Sequence, residues 1–255
     1  MFVHDRSFLR VPVTRVTTID AWKLVGIASL LVDHYGLFFV ADDGWWRVAG
    51  RVAAPIFFFL IGFGRTQRVP LSWLAWGALL TAVDYLMDGD GGLQANILVN
   101  FALVRLALPY VERQVMGYPL RLVALVGISA ALISLLDPVL EYGSEGWLWA
   151  LFGLSHGLLL ERSSTAAALR EYALAGVAAG VYVLREVSDY DFALIQALVL
   201  ALVIGWLTSR LLDFRRADLS LLQLRPLFAV AGRYSLEIYA LSLLAMQVLA
   251  NAGEA

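Results

Sequence analysis

Apolar runs of roughly 17–23 residues recur along this chain, with charges clustered between them, as when helices rising 1.5 Å per residue cross about 30 Å of hydrocarbon. Runs of that length satisfy their backbone amides and carbonyls internally, so they read as helices. The roughly ten-residue alternation of barrel strands is absent from the sequence. About nine spans are expected, over residues 20–41, 45–64, 70–87, 93–111, 119–137, 145–160, 166–185, 192–212 and 225–250, each end good to about 2–4 residues. The third and sixth are short enough to be tilted, re-entrant or partly interfacial. Linkers stay below about a dozen residues, short for a domain boundary. The expected fold class is all-α, a polytopic helical membrane bundle. Residues 1–19 form a cytoplasmic arm and 20–255 a single transmembrane domain.

Composition supports this pattern and gives it a direction. Hydrophobic residues make up 60% and charged residues 16%, against about half and a quarter in soluble domains, and mean hydropathy is +0.75. With the N-terminus inside, Arg6, Arg10, Arg15, Lys23, Arg65, Arg68, Arg105, Arg113, Arg121, Arg162, Arg170, Arg210, Arg215, Arg216 and Arg225 fall at the cytoplasmic face. These are 15 of the 19 basic residues. The alternate loops hold Asp42, Asp43, Asp84, Asp88, Asp90, Asp137, Glu141, Glu145, Asp189 and Asp191. Cytoplasmic loops carry the Lys/Arg excess, so the N-terminus is expected inside and, with an odd span number, the C-terminus outside. The first twenty residues lack an apolar core long enough for a cleavable signal peptide, so the first span is expected to direct its own insertion. A net charge of −2 argues against a nucleic-acid partner, and the absence of cysteine excludes disulfide and thiolate chemistry. The expected location is a bacterial inner membrane, crossed several times.

The first two spans contain the polar exceptions. Asp33 and His34 lie thirteen residues past Asp20, about 20 Å deep at 1.5 Å per residue. Ionisable groups at that depth cost several kcal/mol unless paired, and they mark functional sites or helix-pinning pairs. His is the natural general base or nucleophile near neutral pH, so His34 reads as a base on the acceptor or as a transiently acetylated group. Successive helix positions point about 100° apart, so Asp33 and His34 need not touch. In the second span Arg47 and Arg51 are four apart and share a face. Arg47 reads as a snorkelling interfacial residue or a substrate contact. Arg51, one turn deeper, reads as a partner for Asp33 or an anion-stabilising group. Pro55 is expected to weaken the helix and free a carbonyl. Asn96 and Asn100, near the outer end of the fourth span, read as substrate hydrogen-bond donors or as interhelical glue.

The segments LVDHYG and WWRVAGRVAAPIFFFLIGFG together resemble the TraX family of bacterial membrane acetyltransferases. The matching residues are Asp33, His34 and Gly36, then Gly50, Arg51, Pro55 and Phe57. QANILVNFALVRLAL is similar to the family's fourth-span region, starting at Asn96. AGRYSLEIYALSL resembles the ending of the wider transmembrane acyltransferase group, which includes heparan-glucosaminide N-acetyltransferases, and Asp20-x-x-Lys23 resembles its opening. Ala240, Leu241 and Ser242 stand where that group often has a second His, whose role is not carried over. The resemblance implies an acetyltransferase using cytosolic acetyl-CoA, with an envelope acceptor, above all the N-terminal amine of a pilin subunit. It gives the domain an acyltransferase-like character, with His34, Asp33 and Arg51 catalytic. Lys23, Arg233 and Glu237 become candidates for binding the CoA moiety.

Other polar positions have blander readings. His156 reads as an interfacial or hydrogen-bonded core histidine. Arg233 and Glu237, four apart, read as an intrahelical pair that also stands near the cytoplasmic entrance. Gly176 and Gly180 permit close helix packing, within the chain or in a homodimer. Two other functional classes compete: a small-solute transporter, which calls for internal repeats that the sequence lacks, and a non-catalytic pilus or envelope assembly factor.

Overall fold

The computed structural model describes residues 16–40, 44–88, 93–161, 164–219 and 225–253. Most of the expected N-terminal arm, with Asp42, Asp43, Asp90 and Arg162, lies outside these residues. The described residues form α1 (Thr18–Phe39), α2 (Gly44–Gly50), α3 (Ala53–Gly64), α4 (Leu71–Asp88), α5 (Ile97–Gln114), α6 (Pro119–Ala131), α7 (Ile133–Leu136), α8 (Glu145–Glu161), α9 (Thr165–Asp189), α10 (Leu194–Leu212) and α11 (Arg225–Gly253). Among these residues there is no strand, and the only extended pairings are two isolated bridges, Thr17 with Asp218 and Ala95 with Leu140. The all-α expectation holds.

Among the described residues, four helical stretches are long and apolar enough to cross a membrane: Gly44–Gly64, Thr165–Asp189, Leu194–Leu212 and Pro226–Ala252. Leu71–Met87 and Pro119–Ala131 are apolar but shorter. α1 has 22 residues but carries Asp20, Lys23 and Asp33. Leu71, Leu120, Leu184, Leu194 and Leu202, on α4, α6, α9 and α10, stand largely exposed. A leucine surface spread over four helices suits hydrocarbon better than water.

α3 and α8 form the centre. Their backbones approach so closely that a β-carbon on Gly62 would lie 2.0 Å from the Ala150 carbonyl oxygen, and one on Gly153 2.1 Å from that of Phe59. Buried Phe58, Phe59, Trp149 and Phe152 fill the space around this seam. α1 packs against α2, α3 and α11. Its start is closed by Asp20, whose carboxylate accepts from Thr17 N at 2.8 Å and Thr17 Oγ1 at 3.0 Å.

The second expected span is broken at residues 51–52 into α2 and α3, and the cause is local. Pro55 has no amide hydrogen to offer the carbonyl four residues back, that of Arg51. Tyr182 Oη donates to that carbonyl instead, at 2.8 Å. Ser29 Oγ similarly approaches the carbonyls of Ala49 at 2.9 Å and Gly50 at 2.7 Å. The break is therefore capped by side chains from α1 and α9.

Hydrogen bonds and ion pairs sort the helix ends into two groups. At one end Thr18 meets Arg215 and Ala217, Arg65 meets Glu112 and Glu161, and Arg170 donates to the Met116 carbonyl. At the other, Arg185 joins Asp137 and Asp189, Gln247 donates to Asp84, and Asn96 meets Glu141.

Candidate functional site

Two cavities meet near the middle of α1. The apolar cavity, about 270 Å³, runs along the N-terminal half of α1 past Phe57, Leu60, Phe101 and Leu236, with Lys23, Arg105 and Trp73 also in its wall. The polar cavity, about 530 Å³, adjoins the C-terminal half of α1 and is lined mainly by charged and amide side chains. Asp33, His34, Glu141, Tyr142 and Tyr239 belong to both walls.

Asp33 and His34 are sequence neighbours but do different things. Asp33 is 8% exposed, and its two oxygens are held separately: Oδ1 by Arg51 Nη2 at 2.6 Å and Oδ2 by Arg47 Nη1 at 3.0 Å. Arg51, 3% exposed, also reaches Glu186 Oε2 through Nη1 at 3.1 Å. Both guanidinium carbons lie 4.8 Å from the centre of the Tyr190 ring, a cation–π arrangement. This network ties α1, α2 and α9 together. Gly50 makes it possible, since a β-carbon there would lie 2.2 Å from Asp33 Cβ.

His34 takes no part in that network. Its Nδ1 is buried with no hydrogen-bond partner, and its ring tilts against Tyr239 with centroids 5.9 Å apart. Asp33 and Arg51 hold each other, as one reading of Arg51 expected, rather than the imidazole. The 100° turn between successive helix positions directs Asp33 to the arginines, whose charge then occupies both carboxylate oxygens.

The opposite wall is set by Asn96 and the loop after α7. Asn96 caps α5, accepting from Leu98 N at 3.2 Å. Its Nδ2 donates to Tyr239 Oη at 2.7 Å and lies 3.3 Å from Glu141 Oε2. Glu141 also accepts from Ile97 N at 2.8 Å. Burial pushes the Glu141 carboxyl up to about 7. Tyr142, next in the loop, adopts a left-handed φ of 58°, a conformation that side-chain-bearing residues rarely hold without tertiary support.

The remaining expected residues divide. Arg47 faces the polar cavity and Lys23 the apolar one, although Lys23 Nζ also donates to the Gly232 carbonyl at 2.9 Å. Asn100 lines neither cavity: Nδ2 bonds the carbonyls of Glu141 and Gly143 at 3.0 and 2.8 Å, and Oδ1 accepts from Trp147 Nε1 at 3.0 Å. It is glue. Arg233 and Glu237 line neither cavity and form no pair among the described residues; Arg233 is exposed beside Tyr234, and Glu237 Oε2 is buried without a partner. The reason is a kink: Tyr234 has φ −112° and ψ 22°, so the helical geometry that brings positions four apart together is interrupted. His156 is a core histidine, 1% exposed, bonded to Glu171 and to the Phe214 carbonyl at 2.8 Å. Gly176 and Gly180 have nothing within 4 Å of a β-carbon, so they serve no close packing among the described residues.

Glu186, Tyr190, Tyr142 and Tyr239 complete the site beyond the residues expected from the sequence. Glu186 carries a readable signal, a charge inside the apolar run VYVLREV, but a span ending at 185 leaves it outside.

An all-helical bundle with membrane-spanning helices, holding a buried ion network and an unpartnered histidine where two cavities meet, defines a membrane protein with an internal polar site. Residues 18–249 match the model of the family described as TraX protein, and the chain belongs to that family. Among curated proteins it is 29% identical to Protein TraX of Escherichia coli over 98 residues, 36% of this chain and 40% of that protein. It is 22% identical over 99 residues to an uncharacterized protein of Rickettsia prowazekii, 39% of this chain and 40% of that one. These matches span about two-fifths of the relatives' length. No solved structure matches significantly.

Proposed function

We propose that this protein is a membrane-embedded acetyltransferase. It moves an acetyl group from cytosolic acetyl-CoA to an acceptor amine at or beyond the membrane, foremost the N-terminus of a pilin subunit, with His34 as general base. The observation that carries this reading is the place of His34: a buried imidazole with an unpartnered nitrogen, in the wall shared by an apolar cavity and a polar one. Membership of the family described as TraX protein, matched over residues 18–249, is consistent with this reading.

The apolar cavity suits an elongated donor. Phe57, Leu60 and Phe101 accommodate a pantetheine arm, while Lys23 and Arg105 supply positive charge for its phosphates. Arg105 lies over Trp73, 4.0 Å from the ring centre, and its buried Nε has no partner. The thioester carbonyl then reaches His34, and the acceptor enters through the polar cavity.

In the transfer, the amine nitrogen attacks the thioester carbonyl carbon and His34 takes the proton from nitrogen. The tetrahedral oxyanion collapses, the carbon–sulfur bond breaks, and His34 returns that proton to the departing thiolate. Tyr239 Oη accepts from Asn96, which leaves its own hydrogen to donate to the oxyanion. Asn96 is thus a positioning residue for Tyr239. Arg47, Arg51 and Asp33 hold α1 in register with α2 and α9.

Nine crossings with the N-terminus inside complete the proposal. Arg47, Arg51 and Arg185, the arginines of the acidic end, are all ion-paired. The unbalanced arginines gather at the opposite end, as the positive-inside rule requires of a cytoplasmic face. The test is transfer of labelled acetyl from acetyl-CoA to a peptide with a free N-terminus by purified protein in nanodiscs. Label should appear on that peptide and not on its N-blocked counterpart. Transfer to no amine would overturn the proposal.

A further inference from the structure

The polar cavity has more hydrogen-bond acceptors than its own donors satisfy. Seven carboxylates line it against three arginines. Those arginines are already committed to four of the seven, Asp33, Glu186, Asp137 and Asp189. Two buried acceptors in the same wall lack a donor. Glu145, 6% exposed, has its Oε2 shielded and unpartnered, and its side chain makes no hydrogen bond among the described residues. Gln247, also 6% exposed, donates Nε2 to Asp84 at 3.2 Å and leaves its Oε1 without a partner.

A buried carboxylate without a counter-charge is costly, and so is a buried carbonyl without a donor. Both costs are relieved by a ligand bringing positive charge and several N–H groups together. We infer that the polar cavity takes its ligand as a primary ammonium ion, and that Glu145 is the side chain that docks it, with Gln247 supplying a second acceptor. An ammonium presents three donors and a full charge, whereas a hydroxyl presents one donor and no charge. An anionic group would face repulsion from the Glu145 carboxylate. The cavity therefore selects amines over hydroxyls and over acidic acceptors. Only the description of this ammonium as the acetyl acceptor rests on the function proposed above. On that reading a proton must leave the ammonium before nitrogen can attack. Glu141, in the shared wall with a carboxyl pushed up to about 7, suits that first proton.

The probe is alaninamide, with N-acetylalaninamide as its uncharged counterpart, titrated at about pH 7.5, where most of an α-amine is still ammonium, into detergent-purified protein without acetyl-CoA. Wild-type protein should bind the first and not the second. Glu145→Gln should weaken alaninamide by about tenfold or more, as expected for losing a charge-assisted hydrogen bond. Glu145→Asp should recover part of the loss, and Gln247→Leu should bind several-fold more weakly. Should Glu145→Gln not fold, the Asp and Leu variants decide the matter. Equal binding of the two probes, no binding of either, or wild-type affinity in the variants of Glu145 and Gln247 overturns the inference. A protein that binds alaninamide in this pattern but transfers no acetyl group would sink the transferase and leave the ammonium site standing. Acetyl transfer to a hydroxyl acceptor with no ammonium preference would do the reverse.

Discussion

Asp33 and His34 occupy adjacent positions in the same helix, yet the protein treats them in opposite ways. Asp33 has both oxygens bound by arginines that themselves connect two further helices. His34 has a buried nitrogen with no partner among the described residues and a ring in the wall of both cavities. A saturated buried group has no capacity left for a ligand, and its removal strands its partners. An unsaturated group costs little to remove structurally and keeps its hydrogen-bonding capacity for something that arrives. The comparison therefore predicts architecture for Asp33 and chemistry for His34.

The largest effect should come from breaking the saturated side. Arg51→Ala leaves Asp33 without its 2.6 Å partner and Glu186 without its guanidinium, and breaking such a buried pair costs about 3–5 kcal/mol. Thermal unfolding in detergent should show a large drop, while Arg47→Ala, on the more exposed member, should show a smaller one. Next comes the helix break. Tyr182→Phe strands the Arg51 carbonyl and should cost about 1–3 kcal/mol. Pro55→Ala provides an amide for that same carbonyl, so the cost of Tyr182→Phe should shrink in the Pro55→Ala background, and a double-mutant cycle measures the coupling.

A pH dependence sharpens the opposite wall. Glu141 in the folded protein titrates near 7, raised from 4.5, so between those values the folded state holds a proton that the unfolded state has lost. Its stabilising contribution is complete below about 4.5, declines as pH rises towards 7 and is gone above, at no more than about 1.4 kcal/mol per pH unit. Unfolding from pH 5 to 8 should show that decline in wild type, and Glu141→Gln should remove it.

Much of the architecture was legible because a hydrocarbon layer imposes one length on every helix that crosses it. The segments 71–88, 145–161 and 194–212 appear nearly where the apolar runs put them. Pro55 announced the weak point of the second span through its missing amide, but not that Ser29 and Tyr182 would cap the break. The polar site was half legible. Asp33, His34 and Arg51 stand out as charges inside apolar runs, whereas Glu186 fell beyond the expected end of its span because α9 continues to Asp189. Tyr239 and Tyr142 carry no such signal, since tyrosine is ordinary in a membrane helix or its flanking loop. Arg233 and Glu237 misled because the spacing of a pair assumes a continuous helix, and the kink at Tyr234 is not written in the spacing.

The most direct test of the account sets the two neighbours side by side, with His34→Gln and Asp33→Asn each assayed for unfolding temperature and for acetyl transfer to a free N-terminal peptide. His34→Gln should unfold close to wild type and lose about 10²–10⁴-fold in turnover, the usual contribution of a general base. Asp33→Asn should unfold at a clearly lower temperature. A folded His34→Gln protein with wild-type turnover would contradict the account.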